Sequence, residues 1–259
     1  MVFRWYEREE ADGSASWRPD RDRSEELHAG RLVASADGLY ARTAGRGVPA
    51  VTTSVEAFTA AACAASPGGR RSGVERAVMP LMGAEALICY RLDAGEHARR
   101  QRAGAGAISS ADVLELLLGL PVAAPVPVAS LTCRERAALD RAPHGAVSVC
   151  CGEVTRFAVA PVAVELALVA AGNWRAGLGV AGRFAPFCAR AVVLSRRPAN
   201  LADVQMEAGF YGVGVIMVED QSAEILVEPA PFRRRRVTAA GWRFVEEVYR
   251  LARRSWPPR

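Results

Sequence analysis

The spacing of apolar positions sharpens at about residue 108 of the 259-residue chain, and the elements it predicts divide there. Before that point, residues 55–64 and 74–82 carry apolar side chains at helical spacing. Residues 86–92 (ALICYRL) are expected to be a buried strand, and 66–73 (SPGGRRSG) and 99–107 (RRQRAGAGA) read as loops or linkers. The first 30 residues are charged and broken by Gly, Ser and Pro. Beyond residue 108, Ser109 and Ser110 offer caps to a helix that Gly119 and Pro121 stop, and PVAAPVPVA makes an extended connector. Thr132 and Glu135 form a capping box that starts a second helix. Three β-branched runs, 146–150, 154–159 and 162–169, predict strands close enough for hairpins. A helix over 173–184 follows, then a strand over 191–194, a short helix over 201–208, strands over 213–218 and 225–227, and a closing helix over 239–254.

One helix between the third and fourth strands permits a parallel crossover beside hairpin pairing. The expected fold class is therefore α/β, a mixed sheet flanked by helices, with a smaller and less defined N-terminal α+β domain. Its expected division is an N-terminal domain over 1–105, a helix and Pro-rich connector over 106–130, and the sheet domain over 131–259. No repeat at a solenoid period is visible.

Composition narrows the chemistry. All 33 cations are arginine and no lysine occurs, which excludes Schiff-base enzymes, Walker A phosphate loops, protein kinases of the usual plan and Ser-x-x-Lys acyltransferases. The net charge is +5, but residues 231–259 alone hold 9 arginines against 2 acids, more than the whole positive excess. Such a segment attracts phosphate backbones, anionic membranes or acidic proteins. No uninterrupted apolar stretch reaches spanning length, and the opening residues lack the order of a secretory signal, so no membrane partner and a cytoplasmic location are expected. The six cysteines show no C-x-x-C pair and read as reduced thiols, mostly buried. Cys133, His144, Cys150 and Cys151 match no zinc-site spacing, and adjacent cysteines in a strand would face opposite sides.

The order αβββαβ carries a carboxylate inside its third strand (Glu165 in PVAVELALV). Trp174-Arg175, RFAPFCARAVVLS, GFYGVGVIMVED and AEILVEPAPFRRRR follow. In this, residues 131–254 resemble the PD-(D/E)XK nuclease superfamily, closest to its DNA-repair type. That resemblance implies a restriction-endonuclease-like core in which Glu165 helps hold a divalent metal at a scissile phosphate. The sequence departs from the pattern in two places. Ala167 stands at the lysine position, and no Asp occurs between Asp140 and Asp203, leaving Glu135 and Glu153 as the only other acids for the catalytic set. The implied site is degenerate, and the expected role is nucleic-acid association without a cofactor. The alternatives are a magnesium-dependent nuclease using Glu135, Glu153 and Glu165, and a scaffold whose arginines meet an acidic protein.

The nucleic-acid-binding candidates are Arg233, Arg234, Arg235 and Arg236 in one run, with Arg243, Arg250 and Arg254 along one stripe of the closing helix. DNA is the expected partner, with RNA second. Glu247 lies within that stripe and Glu246 is placed four residues before Arg250, so part of this face is expected to be salt-bridged. The glycines of FYGVG lead into a strand instead of a helix N-terminus, so they are expected to close the preceding helix and not to cradle phosphate.

Overall fold

A computed structural model describes residues 73–219 and 222–255, together with the short stretches 32–33, 59–62 and 65. The charged first 30 residues and most of the loop expected at 66–73 lie outside the described residues. Of the helix expected at 55–64, residues 59–62 are described and are helical.

The protein is mixed α/β. Its main sheet has six full strands in the order β2 (Glu75–Leu81), β3 (Ala84–Leu92), β7 (Val162–Ala170), β8 (Ala189–Leu194), β9 (Gly214–Glu219) and β10 (Ser222–Val227), with the two-residue β1 (Leu32–Val33) alongside β2. The hairpin β2–β3 and the pairs β3–β7 and β9–β10 are antiparallel, while β7–β8 and β8–β9 are parallel. Helix α4 (Trp174–Gly182) makes the first parallel crossover and α5 (Leu201–Tyr211) the second. A second sheet holds β4 (Pro125–Pro127), β6 (Glu153–Arg156) and β5 (Val147–Cys150), all antiparallel. It packs Val154 against Leu116, Leu120, Leu131 and Ala138 in a small core of its own.

Three expectations are corrected. The segment at 74–82 is strand β2, not helix: Ala77, Met79 and Leu81 are buried at strand spacing. Met82 and Gly83, both at positive φ (53° and 75°), close a two-residue turn into β3. Residues 94–102 are helix α1 (Ala94–Arg102), capped by Asp93, and not the start of a linker at 99. The three strands expected over 146–169 do not share a sheet. Strands β5 and β6 belong to the small one, and the neighbour of β7 on its antiparallel side is β3. The main sheet therefore runs through the division expected at residue 105.

The larger core lies on one face of the main sheet, beneath α2 (Ala111–Gly119), α4, α5 and α6 (Ala239–Ser255). The other face, Leu87, Cys89, Leu166, Leu168, Val193 and Ile216, is packed by Ala61, Ala62 and Ala65. The expected capping box is formed at α3 (Cys133–Leu139), with Thr132 and Glu135 exchanging hydrogen bonds. Among the described residues, no helix is long and apolar enough to cross a membrane.

Helix α6 is tied to α1 by a buried ion network. Arg100 and Glu246 are each 1% exposed. Arg100 Nη1 and Nη2 donate to the two Glu246 oxygens at 2.7 Å, and its Nε donates to Glu96 at 2.6 Å. Carbonyls of Gly106 and Val159 take its remaining protons at 3.2 and 3.1 Å. Glu246 also accepts from Trp242 Nε1 and from the Ile108 amide, both at 2.9 Å. Glu246 is thus turned inward, away from the exposed pairing with Arg250 that its spacing suggests.

Candidate functional site

Glu165 sits in a β-bulge. Cys89 pairs with Leu166 and Tyr90 with Val164, so Glu165 is the extra residue on β7. Bulges re-aim a side chain and occur often beside active sites. Here the side chain meets Arg91 of β3, whose Nε donates to Glu165 Oε1 at 2.6 Å, with Nη2 donating to the same oxygen. Arg156 and Arg175, the arginines nearest Glu165 in sequence, are engaged elsewhere. Arg156 donates to the carbonyls of Leu117, Leu120 and Ala158, and Arg175 reaches Asp203 and Glu207.

Glu165 lines a cavity of about 550 Å³ with Arg76, Cys89, Ala189, Glu228 and Phe232. This is within the size range of small-molecule sites. Among the described residues, the buried Arg76 Nε has no hydrogen-bond partner. Glu228 is a second carboxylate in the same cavity. Sequence reading missed it because it follows the last strand and carries no motif. Ala189, the first residue of β8, and Pro229 also line the cavity, and the chain crosses that end of the sheet through Pro229 and Ala230. A Cβ on Gly214 would lie 2.8 Å from Ala191 and 2.9 Å from Pro229, so a glycine lets this segment close on the strand. Ala230 N donates to Gly212 O at 3.3 Å. As expected, Gly212 caps α5, in the left-handed conformation with φ 62°.

Arg233 to Arg236 continue from that segment. All four are exposed, and none makes an ion pair or hydrogen bond among the described residues. By contrast, Arg91, Arg99, Arg134, Arg175 and Arg197 each hold a carboxylate. Arg234 is near enough to Cys188 to favour its thiolate, as is Arg190, but burial dominates and pushes the Cys188 thiol up to about 12. That thiol is not a nucleophile at neutral pH.

The stripe on α6 is less free. Arg250 Nε donates to Glu247 at 2.7 Å. This bond lowers the Glu247 carboxyl below its ordinary range, with help from the charges of Arg250, Arg254 and Arg243. The salt-bridged part of this face therefore uses Glu247, not Glu246. Arg243 and Arg254 remain exposed.

The three candidate acids occupy separate places. Glu165 lies in the main sheet, Glu153 is exposed at the start of β6, and Glu135 is engaged in its capping box. Glu135 instead lines a shallow exposed depression with Asp112 and Glu115. Among the described residues, no three His, Cys, Asp or Glu side chains gather as a metal-binding group. Cys150 and Cys151 depart from expectation. Cys151 is a turn residue at φ 53°, not a strand residue, so the two exposed sulfurs lie together, 3.3 Å apart. Cys133 is exposed too, Cys89 and Cys188 are buried, and Cys63 lies outside the described residues.

Comparison of the chain with protein-family models, curated proteins and solved structures gives no match.

Proposed function

We propose that the protein associates with nucleic acid through Arg233–236, at the end of the main sheet beside the Glu165 cavity. One observation carries this reading: four consecutive guanidiniums are held at the surface with no carboxylate of the described chain to neutralise them. Guanidiniums left unpaired by their own protein are suited to phosphate oxygens, which they bind bidentately. Arg243 and Arg254 extend the positive surface along α6, and Glu247 subtracts from it.

The nuclease resemblance contributes Glu165 and the basic segment to this reading and little else. The neighbours of β7 differ from those it implies, and the carboxylate it supplies is already held by Arg91. We therefore favour binding without strand scission.

The test is fluorescence anisotropy of a labelled oligonucleotide over a salt series. The wild-type affinity is expected to fall steeply with salt. Replacing all four arginines by alanine should weaken binding and make the slope of log K against log salt shallower by about 3–4. Wild-type protein with no affinity at 50 mM salt would sink the proposal in favour of a scaffold meeting an acidic protein. Nicking of supercoiled plasmid with magnesium or manganese, lost in Glu165→Gln, would restore the nuclease.

A further inference from the structure

We infer that the nucleic acid taken is single-stranded, with unpaired bases stacking on Phe210 and Tyr211 while Arg233–236 follow the phosphates. This rests on the proposed function and names its substrate class.

At the C-terminal turn of α5, Phe210 is 83% exposed, Tyr211 55% and Met206 72%. The helix has already met its packing needs through Val204 and Ala208, which are fully buried. The two rings sit edge to face with centroids 5.1 Å apart, so they present differently oriented surfaces to solvent. Exposed apolar clusters of this kind commonly mark binding surfaces.

Their position relative to the cations is fixed by backbone contacts. Arg190 Nη2 donates to Tyr211 O at 2.6 Å. Ala230 N bonds to the carbonyl of the next residue, Gly212, and a Cβ on Gly212 would lie 2.9 Å from that of Ala230. Arg233 is three residues further on, a chain reach of about 10 Å. The aromatic pair and the arginine run therefore border the same end of the sheet.

Charge complementarity selects the occupant. Helix α5 has no basic residue of its own, and its acids Asp203 and Glu207 pair with Arg175. An interfacial membrane helix would instead carry its cations on its own polar face. A duplex also fits poorly, because its base faces are already stacked and only groove edges and backbone are offered. Aromatic faces beside a cationic track are the arrangement that holds single strands with little sequence preference.

The test uses the full chain and labelled 20-mers of deoxythymidine and uridine beside a mixed-sequence duplex, at one ionic strength. Phe210→Ala/Tyr211→Ala should weaken single-strand binding about 5- to 100-fold and leave duplex binding nearly unchanged. Phe210→Leu/Tyr211→Leu, which keeps apolar area but removes the rings, should lose nearly as much. Both pairs are exposed, and circular dichroism checks that they fold. The tighter of the two homopolymers decides between DNA and RNA. Binding that needs the arginines but ignores both ring variants overturns this inference and leaves the proposed function standing. Failure of the wild type to bind any oligonucleotide overturns both. Binding to phosphatidylserine vesicles that needs Phe210, with none to oligonucleotides, also overturns both and assigns the surface to a membrane.

Discussion

Arg100 uses every N–H of its guanidinium inside the molecule, and its two carboxylates, Glu96 and Glu246, come from different helices. Removing it leaves buried negative charge uncompensated, so Arg100→Ala should destabilise the protein by about 3–5 kcal/mol, read from urea unfolding. Glu96 adds a pH dependence. Burial pushes its carboxyl up, but hydrogen bonds and charge from Arg99 and Arg100 outweigh this and hold it below its ordinary range. The unfolded carboxyl titrates near about 4.3, so the stability it contributes is complete above that pH. It is lost as pH falls through the lower folded value. Glu96→Gln should be less stable at pH 7 and show a flatter decline of unfolding free energy from pH 5 to 3; an unchanged decline would remove Glu96 as its source. The left-handed turn at Cys151 has its own consequence, since two exposed sulfurs 3.3 Å apart can both bond one trivalent arsenic. Phenylarsine oxide should add once to this pair with loss of water, and mass spectrometry should show that Cys150→Ser or Cys151→Ser abolishes it while Cys133→Ser does not.

Elements were most legible where a cap and a stop bracket one periodicity. Ser110 and Thr132 cap α2 and α3 as their sequences indicate, and Gly212 ends α5. Strand β2 was illegible because Val74, Ala77, Val78 and Leu81 fit helical spacing while Ala77, Met79 and Leu81 fit strand spacing. Pro80 and the Met82-Gly83 turn decide between them, with β3 waiting as partner. The end of helix α1 read as part of a linker because RRQRAGAGA runs on into glycines, whereas Arg100 is core. At the candidate site, Glu165 stood out as a lone carboxylate in an apolar strand. Its partner Arg91 lies 74 residues away, and no local pattern could supply it. The rings of Phe210 and Tyr211 were visible in sequence, but their exposure follows from which face of α5 packs. At this scale the close approach at Gly214 is testable. Gly214→Ala places a methyl against Ala191 and Pro229, and should cost about 1–3 kcal/mol through overpacking. By displacing the segment that leads to Arg233, it should also weaken oligonucleotide binding under conditions where the protein remains folded. Full stability in Gly214→Ala would show that the segment does not close on β9.

The whole molecule could not be read from order along the chain, because its sheet is assembled across long separations. Strands β5 and β6 precede β7 directly, yet their Val154 is claimed by a small core with α2 and α3. The place beside β7 goes to β3, which brings Leu87 and Ile88, both fully buried, to opposite faces of the sheet. A fragment starting at residue 106 would leave β7 without this neighbour and expose Leu168 along an unpaired edge. It would also strand Glu246 without Arg100. Such a fragment should show no cooperative urea transition, while the same fragment mixed with a 73–105 peptide should regain one, followed by circular dichroism. The reason is area: without the hairpin β7 becomes an edge strand, both cores lose the side chains that β2 and β3 bring to them, and a shortened sheet buries too little to offset chain entropy. A sigmoidal transition in residues 106–259 alone would instead mean that the parallel strands, α4, α5 and α6 form a self-sufficient unit, with the β2–β3 hairpin an addition to it.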